Sequence, residues 1–429
     1  MARAGLSGFI SLVGFEDFRD KVLAREYEPA ILLRRMEGRG KPVLFRLENV
    51  KNDVAGNVVD TREKLYKALN VDSDEEAYRK LIGSYEGQAA PRTGWAGGYQ
   101  ESSDGWMGLP AIKFYERDGG LYLTAGIVVA CWKGTCNASI HRIMVVDKDQ
   151  ARIRIVPRHL WRIYREAVKE RGSLPVTVVL GVHPAYLIAA ASSPPYGVFE
   201  LDVGSRLLGG EPLAESPIHG NPIPARAGAV VEAEITGEMG PEGPFADILL
   251  LYDEVRMQPT MRALKVYVSQ EEPVQAVLSG GLEHVMLMGF PREAAIWDTV
   301  RRVVPRVHAV RLTPGGGGWL HAVISIEKAH NADGKNAAMA AFTGHPSLKH
   351  VVVVDSDINI DDPRMVEWAV ATRFQADRDL LVVSNVRGST LDPSGRSGVV
   401  AKMALDATVK GDKERFEMAR IPGYEREVR

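Results

Sequence analysis

The sequence predicts a multidomain α/β (α+β) protein. It has an N-terminal α/β segment over 1–110, a strand-rich middle over 111–287 and a C-terminal α/β domain over 288–429. Three observations carry this reading. At 429 residues the chain can build two or three domains and a large core. Between about 111 and 287, short β-prone runs follow one another with few helical patterns, as in barrels and sandwiches. Beyond 288, strand and helix patterns alternate, as in α/β layers.

Each element has its own signal. Residues 15–24 and 73–83 carry helical periodicity, and Pro42-Val-Leu-Phe-Arg-Leu47 reads as a strand. The stretch 84–110, rich in Gly, Ser, Pro and Trp, reads as a linker or an ordered loop. In the middle, the runs at 121–125, 127–130, 140–146, 153–156, 176–180 and 230–235 are β-prone, with one helix at 160–170. An acid-rich, hairpin-like element covers 225–251. Downstream, helices are expected at 292–302, 332–342 and 363–374, and strands at 307–312, 320–326, 350–354 and 380–383. Gly315-Gly-Gly-Gly318 lacks the spacing of a dinucleotide loop and reads as a strand connection.

Composition excludes several classes. The chain is 45% hydrophobic and 25% charged with a net charge of −2, so it offers no basic face for nucleic acid. No apolar run reaches the length of a membrane span, and acidic residues at 16 and 17 interrupt the mildly apolar start, against a cleaved signal. A cytoplasmic protein is expected. Cys131 and Cys136 read as two small semi-buried residues on a strand and its turn, with a local disulfide as the alternative.

The chemistry concentrates in two segments. Glu242-Gly-Pro-Phe-Ala-Asp247 sets two carboxylates five residues apart around a turn, and Asn137-Ala-Ser-Ile-His-Arg142 sets an amide and a guanidinium at the same spacing. A guanidinium that clamps a carboxylate, beside acids whose proton affinities differ, suits proton transfer on an acid substrate. Taken singly, Asn137 reads as an Asn beside a turn, His159 as the opening of a helix and Glu200 as an acid closing a strand. Asp355-Ser-Asp357 lacks the Gly and Glu of a calcium loop and reads as a structural or substrate-facing loop.

These segments belong to an ordered series. Arg158-His159, Glu200-Leu201, Leu208-Gly-Gly-Glu-Pro-Leu213, Leu320-His-Ala-Val-Ile-Ser325, His345-Pro-Ser-Leu-Lys-His350, Asp377-Arg-Asp379, Leu391-Asp-Pro393, Lys402 and Asp406-Ala-Thr408 accompany them. The series resembles the UbiD family of decarboxylases. The resemblance implies a central split β-barrel that binds prenylated FMN, and non-oxidative decarboxylation of an α,β-unsaturated or aromatic acid. It implies a catalytic set of Arg142, Glu242 and Asp247, with Asp247 as the proton donor. Asn137, His159 and Glu200 would bind a divalent metal, Mn2+, next to the flavin phosphate. Ser139, Ile140, Arg142, Arg158 and Lys402 would contact the cofactor, with a K+ ion nearby. His141, Glu283 and His284 are substrate-contact candidates.

Two departures stand out: Ala246 where the family usually has Gly, and His141 where a small residue is common. A small-molecule acid, a flavin prenyltransferase as cofactor supplier and a homo-oligomer are the implied partners. The compact length resembles the archaeal branch, which acts on trans-anhydromevalonate 5-phosphate. A 4-hydroxybenzoate-like acid is the alternative substrate, and a flavin- or metal-binding protein without turnover is the alternative class.

Overall fold

The structure is a computed structural model, which describes residues 5–419 apart from 96 and 397. It forms two compact units, Met1–Pro291 and Arg292–Arg429. The first four residues of the apolar start lie outside the described residues. The rest of that run forms the helix Leu6–Val13, with Leu6, Phe9, Ile10 and Val13 buried.

The N-terminal part holds a sheet in the order Glu16–Leu23, Val43–Leu47, Val54–Gly56 and Val274–Gln275. Residues 16–23, expected as a helix, are instead an edge strand parallel to Val43–Leu47. The apolar strand Val43–Leu47 needs a backbone partner on that side, and this pairing overrides local propensity. The helix Asp74–Gly83 does form, because Ser73 accepts the Glu76 N–H and Asp74, Glu75 and Glu76 crowd its positive end.

Six antiparallel strands close into a barrel in the order Ala229–Glu242, Ser173–Leu180, Leu121–Trp132, Thr135–Val145, Gln150–Ile153 and Arg256–Ser269. Pairing of Arg256–Ser269 with Ala229–Glu242 completes the ring and removes the free edges. Val128, Ile143, Val176, Val178, Leu180, Val231, Ile235 and Met261, all fully buried, belong to its packed core. The element expected at 225–251 is one long strand, Ala229–Glu242, paired to the two barrel strands Ser173–Leu180 and Arg256–Ser269, followed by a short hairpin of Phe245–Ala246 with Tyr252–Asp253. Its register shifts between Ile235 and Met239, a bulge that bends the end carrying Glu242. The helices Pro184–Ser192 and Glu200–Leu207 escape the strand-rich reading; the first is apolar all round and so shows no helical stripe.

Cys131 and Cys136 form a disulfide, correcting the expectation of two separate thiols. They face each other directly in the ladder between Leu121–Trp132 and Thr135–Val145, with Cα atoms 4.1 Å apart. The register thus brings the two sulfurs together.

The C-terminal unit is a five-stranded mixed sheet in the order Arg306–Leu312, His321–Glu327, His350–Asp355, Val399–Asp406 and Leu380–Arg387. Its centre is Val351–Val354, buried throughout. Asp355 and Asp357 both grip the buried Arg373, and Asp355 also accepts the Val409 N–H. This Asp-x-Asp is therefore structural. Among the described residues no helix is long and apolar enough to cross a membrane.

With both cysteines of the sequence in this bond, a thiol titration of the denatured, unreduced protein should read zero, rising to two per chain after reduction. A reading of two before reduction would contradict the pairing.

Candidate active site

Two clusters grow from the strand Thr135–Val145, whose side chains alternate between its faces. Ile140 and Arg142 lie on one face; Asn137, Ser139 and His141 lie on the other.

On the first face, Arg142 meets Glu242, the last residue of Ala229–Glu242. Nε donates to Oε1 at 2.8 Å and Nη2 to Oε2 at 2.9 Å, a bidentate pair. Glu242 is fully buried, so this pairing is what makes its charge tolerable. The Arg142 guanidinium stacks 4.8 Å over the Phe245 ring. Nη2 also donates to Asp253 Oδ2 at 2.9 Å.

Asp253 is a hub that the sequence reading missed. Its Oδ2 lies 3.5 Å from Arg154 Nε, and its Oδ1 accepts from Arg256 Nε and Nη2 at 3.2 Å. Burial pushes its carboxyl up, but Arg142, Arg256 and Arg154 outweigh that and hold it below the ordinary aspartate range.

Asp247 sits at the tip of a hairpin in which Phe245–Ala246 pairs with Tyr252–Asp253. Its Oδ1 accepts the Leu249 and Leu251 N–H groups at 2.8 and 3.4 Å. Burial raises its pKa above the usual value, and the Asp253 charge adds to this against those N–H groups and Arg142. A carboxyl of raised proton affinity thus stands within the field of the Arg142 guanidinium.

The hairpin is anchored by Asp118, also missed, whose Oδ1 accepts the Ala246 N–H at 3.1 Å. Gly243 has φ 100° and lies where a Cβ would come 2.9 Å from the Glu254 carbonyl, so the turn after Glu242 requires glycine.

On the second face, Asn137 Nδ2 donates to Glu200 Oε1 at 2.7 Å, and the Ala138 N–H donates to Oε2 at 2.8 Å. His159 Nδ1 lies 3.9 Å from the same Oε1. Asn137 lies within the strand. Glu200 opens the helix Glu200–Leu207 rather than closing a strand, so the helix N-terminus favours its charge. His159 opens the helix His159–Arg171 as expected.

Glu200 is 2% exposed, and among the described residues no lysine or arginine pairs with it. A buried carboxylate met by an amide and an imidazole is a donor set that suits a divalent cation of Mn2+ type. Among the described residues no group of three His, Cys, Asp or Glu could hold a metal; this set includes an amide instead.

The other candidates are placed as follows. Ser139 Oγ bonds Asn137 Oδ1 and His141 Nε2, and His141 Nδ1 bonds the Arg154 carbonyl at 2.8 Å. His141 thus lies on the face opposite its neighbour Arg142, and burial brings its pKa down to about 4. Arg158 stands exposed just before His159. Lys402 belongs to the C-terminal unit, where it is buried and donates to the Pro346 carbonyl at 2.5 Å.

Glu283 and His284 lie in the first turn of the helix Leu282–Val300. Glu283 Oε1 accepts from the Val58 and Val59 N–H groups and from Gln275 Nε2. His284 Nδ1 accepts the Gly280 N–H at 3.0 Å.

Three sequence profiles described as parts of 3-octaprenyl-4-hydroxybenzoate carboxy-lyase match the chain. They are its N-terminal domain over 20–83, its Rift-related domain over 104–282 and its C-terminal domain over 285–407. These matches over the barrel and both flanking parts define a carboxy-lyase, and the chain belongs to the UbiD family of decarboxylases. It is 55% identical over 427 residues to the anhydromevalonate phosphate decarboxylase of Aeropyrum pernix, covering 99% of this chain and 97% of that one. Among solved structures it resembles the UbiD-class enzyme HmfF from Pelotomaculum thermopropionicum in complex with FMN, with a TM-score of 0.92, 35% identity and 98% of each chain covered. An evolved dimeric form of HmfF with prFMN gives a TM-score of 0.89 at 32% identity, again with 98% of each chain covered.

Burial lifts the Glu283 pKa to about 7, from an ordinary 4.5. Between those values the unfolded chain ionises while the folded one keeps its proton, so this residue's contribution to stability falls as pH rises through the window and levels off above it. The change is on the order of 3 kcal/mol. Glu283→Gln should remove that slope, measured as urea unfolding free energy against pH; parallel curves for both proteins would refute a buried neutral Glu283.

Proposed function

We propose that this protein decarboxylates trans-anhydromevalonate 5-phosphate to isopentenyl phosphate, using prenylated FMN, in a mevalonate-type isoprenoid pathway. The identity of 55% over nearly the whole chain to an anhydromevalonate phosphate decarboxylase carries this reading. The Arg142–Glu242–Asp247 geometry supports it.

Asn137, His159 and Glu200 would hold Mn2+ beside the flavin phosphate, with Ser139, Ile140 and Arg158 as further cofactor contacts and K+ sharing the neutralisation. When bound, prenylated FMN supplies the electron sink for the pair left behind by CO2. The chain's own residues do the rest. Arg142 has Nε and Nη2 committed to Glu242 and Asp253, which fixes its plane and leaves Nη1 to orient the substrate carboxylate. Glu242 keeps that guanidinium in place. Asp247, whose proton affinity burial raises, delivers a proton to the carbon that has lost CO2. Buried Phe245 and Ala246 shield the transfer from water.

A flavin prenyltransferase would supply the cofactor, and a homo-oligomer and a cytoplasmic location complete the proposal. A disulfide in that compartment is the habit of hyperthermophiles.

The reading is tested by CO2 release from the phosphorylated acid with protein co-produced with a flavin prenyltransferase. Turnover should vanish when the prenyltransferase is omitted. Asp247→Asn should lower kcat by about 100-fold or more while flavin stays bound; full activity would remove Asp247 as the acid. His159→Ala should release metal and flavin together on gel filtration, and an unchanged flavin content would take it out of the metal set.

A further inference from the structure

The Arg142 cluster contains a second guanidinium, that of Arg154, to which the proposed reaction gives no role. Arg154 follows the barrel strand Gln150–Ile153, and its backbone is fixed on both sides. Its N–H donates to the Arg142 carbonyl at 3.3 Å and its carbonyl binds His141 Nδ1. Its side chain is only 23% exposed, and among the described residues its one ion-pair partner is Asp253, with Oδ2 at 3.5 Å from Nε. Among the described residues its two terminal nitrogens have no hydrogen-bond partner. Both terminal nitrogens keep contact with solvent, so they are open to an incoming anion.

Arg142, Arg154 and Arg256 stand against Glu242, Asp253 and Glu254, and among the described residues Arg154 is the one of the three without a hydrogen-bonded carboxylate. Arg142 and Arg154 approach the same atom, Asp253 Oδ2, so the two guanidiniums stand side by side. One small molecule with two anionic groups a few bonds apart could therefore engage both. A planar guanidinium with free terminal nitrogens matches a phosphate in the way it matches a carboxylate.

We propose that Arg154, assisted by Arg256, is the subsite for the phosphate of the substrate, next to the carboxylate-binding Arg142. This rests on the proposed function and extends it: Arg154 sets the preference for a phosphorylated acid. Asp253 acts as the positioning residue that holds the arginines together in the absence of substrate.

The test compares CO2 release from trans-anhydromevalonate 5-phosphate and from the same acid without phosphate, on cofactor-loaded protein. In Arg154→Gln the ratio of kcat/KM for the two acids should fall by about 10- to 100-fold, the loss of one or two charge-assisted hydrogen bonds. The fall should lie in KM, and Arg154→Lys should recover part of it. Inorganic phosphate should inhibit the parent protein competitively and lose about tenfold in potency on Arg154→Gln. Equal falls for both acids, or unchanged phosphate inhibition, would overturn the subsite. If the parent protein releases no CO2 from the phosphorylated acid, the proposed function fails by itself. Calorimetric titration with inorganic phosphate then decides the subsite: saturable binding weakened in Arg154→Gln upholds it, and identical binding overturns it.

Discussion

The site depends on one buried ion pair. Glu242 has no contact with water, so its carboxylate is tolerable only because Arg142 meets it with two parallel hydrogen bonds. The barrel makes that meeting obligatory. Arg142 and Glu242 sit on strands that do not pair with each other, and closure of the six-strand ring fixes both. Removing either partner would leave a lone charge in a dry place, so pair and barrel constrain each other.

Around that pair, charges are graded rather than uniform. Asp253 is held ionised by three arginines, whereas Asp247, a few residues away on the same hairpin, is pushed by burial toward its protonated form. Two aspartates with opposite tendencies on one hairpin divide the tasks of holding a cation and keeping a proton. The backbone enforces the division. Among the described residues Asp247 receives amide N–H groups alone, and Asp253 receives guanidiniums.

What could be read from the sequence follows from how local each signal is. Ser73 with its acidic turn, the β-prone runs of the barrel and the strand–helix alternation of the C-terminal unit are short-range patterns, and they appear where expected. Residues 16–23 and Glu200 were misread because their states are set by partners far away in sequence: a parallel neighbour strand in one case, a packed helix in the other. The ordered motifs name Arg142, Glu242, Asn137 and His159, whose side chains fall in the two clusters, and Asp247 on the adjoining hairpin. Asp253, Asp118 and Arg154 lay outside every motif, and only the hairpin and barrel register brings them in. A charged residue at the partner position of the Phe245 strand was the one available clue to Asp253. The disulfide was open as an alternative, and cross-strand register decides it.

The alternation along Thr135–Val145 has a further consequence. One strand serves two separate groups of side chains, an amide, hydroxyl and imidazole series on one face and a guanidinium on the other. Its length between Asn137 and Arg142 is therefore a parity condition. Inserting or deleting a single residue there would interchange the faces and scramble both groups at once. The hairpin with Asp247 and Asp253 meets that strand through the Arg142 guanidinium. Variation in that hairpin can retune what the arginines accept while the opposite face stays as it is, which makes the strand the fixed frame and the hairpin the adjustable part.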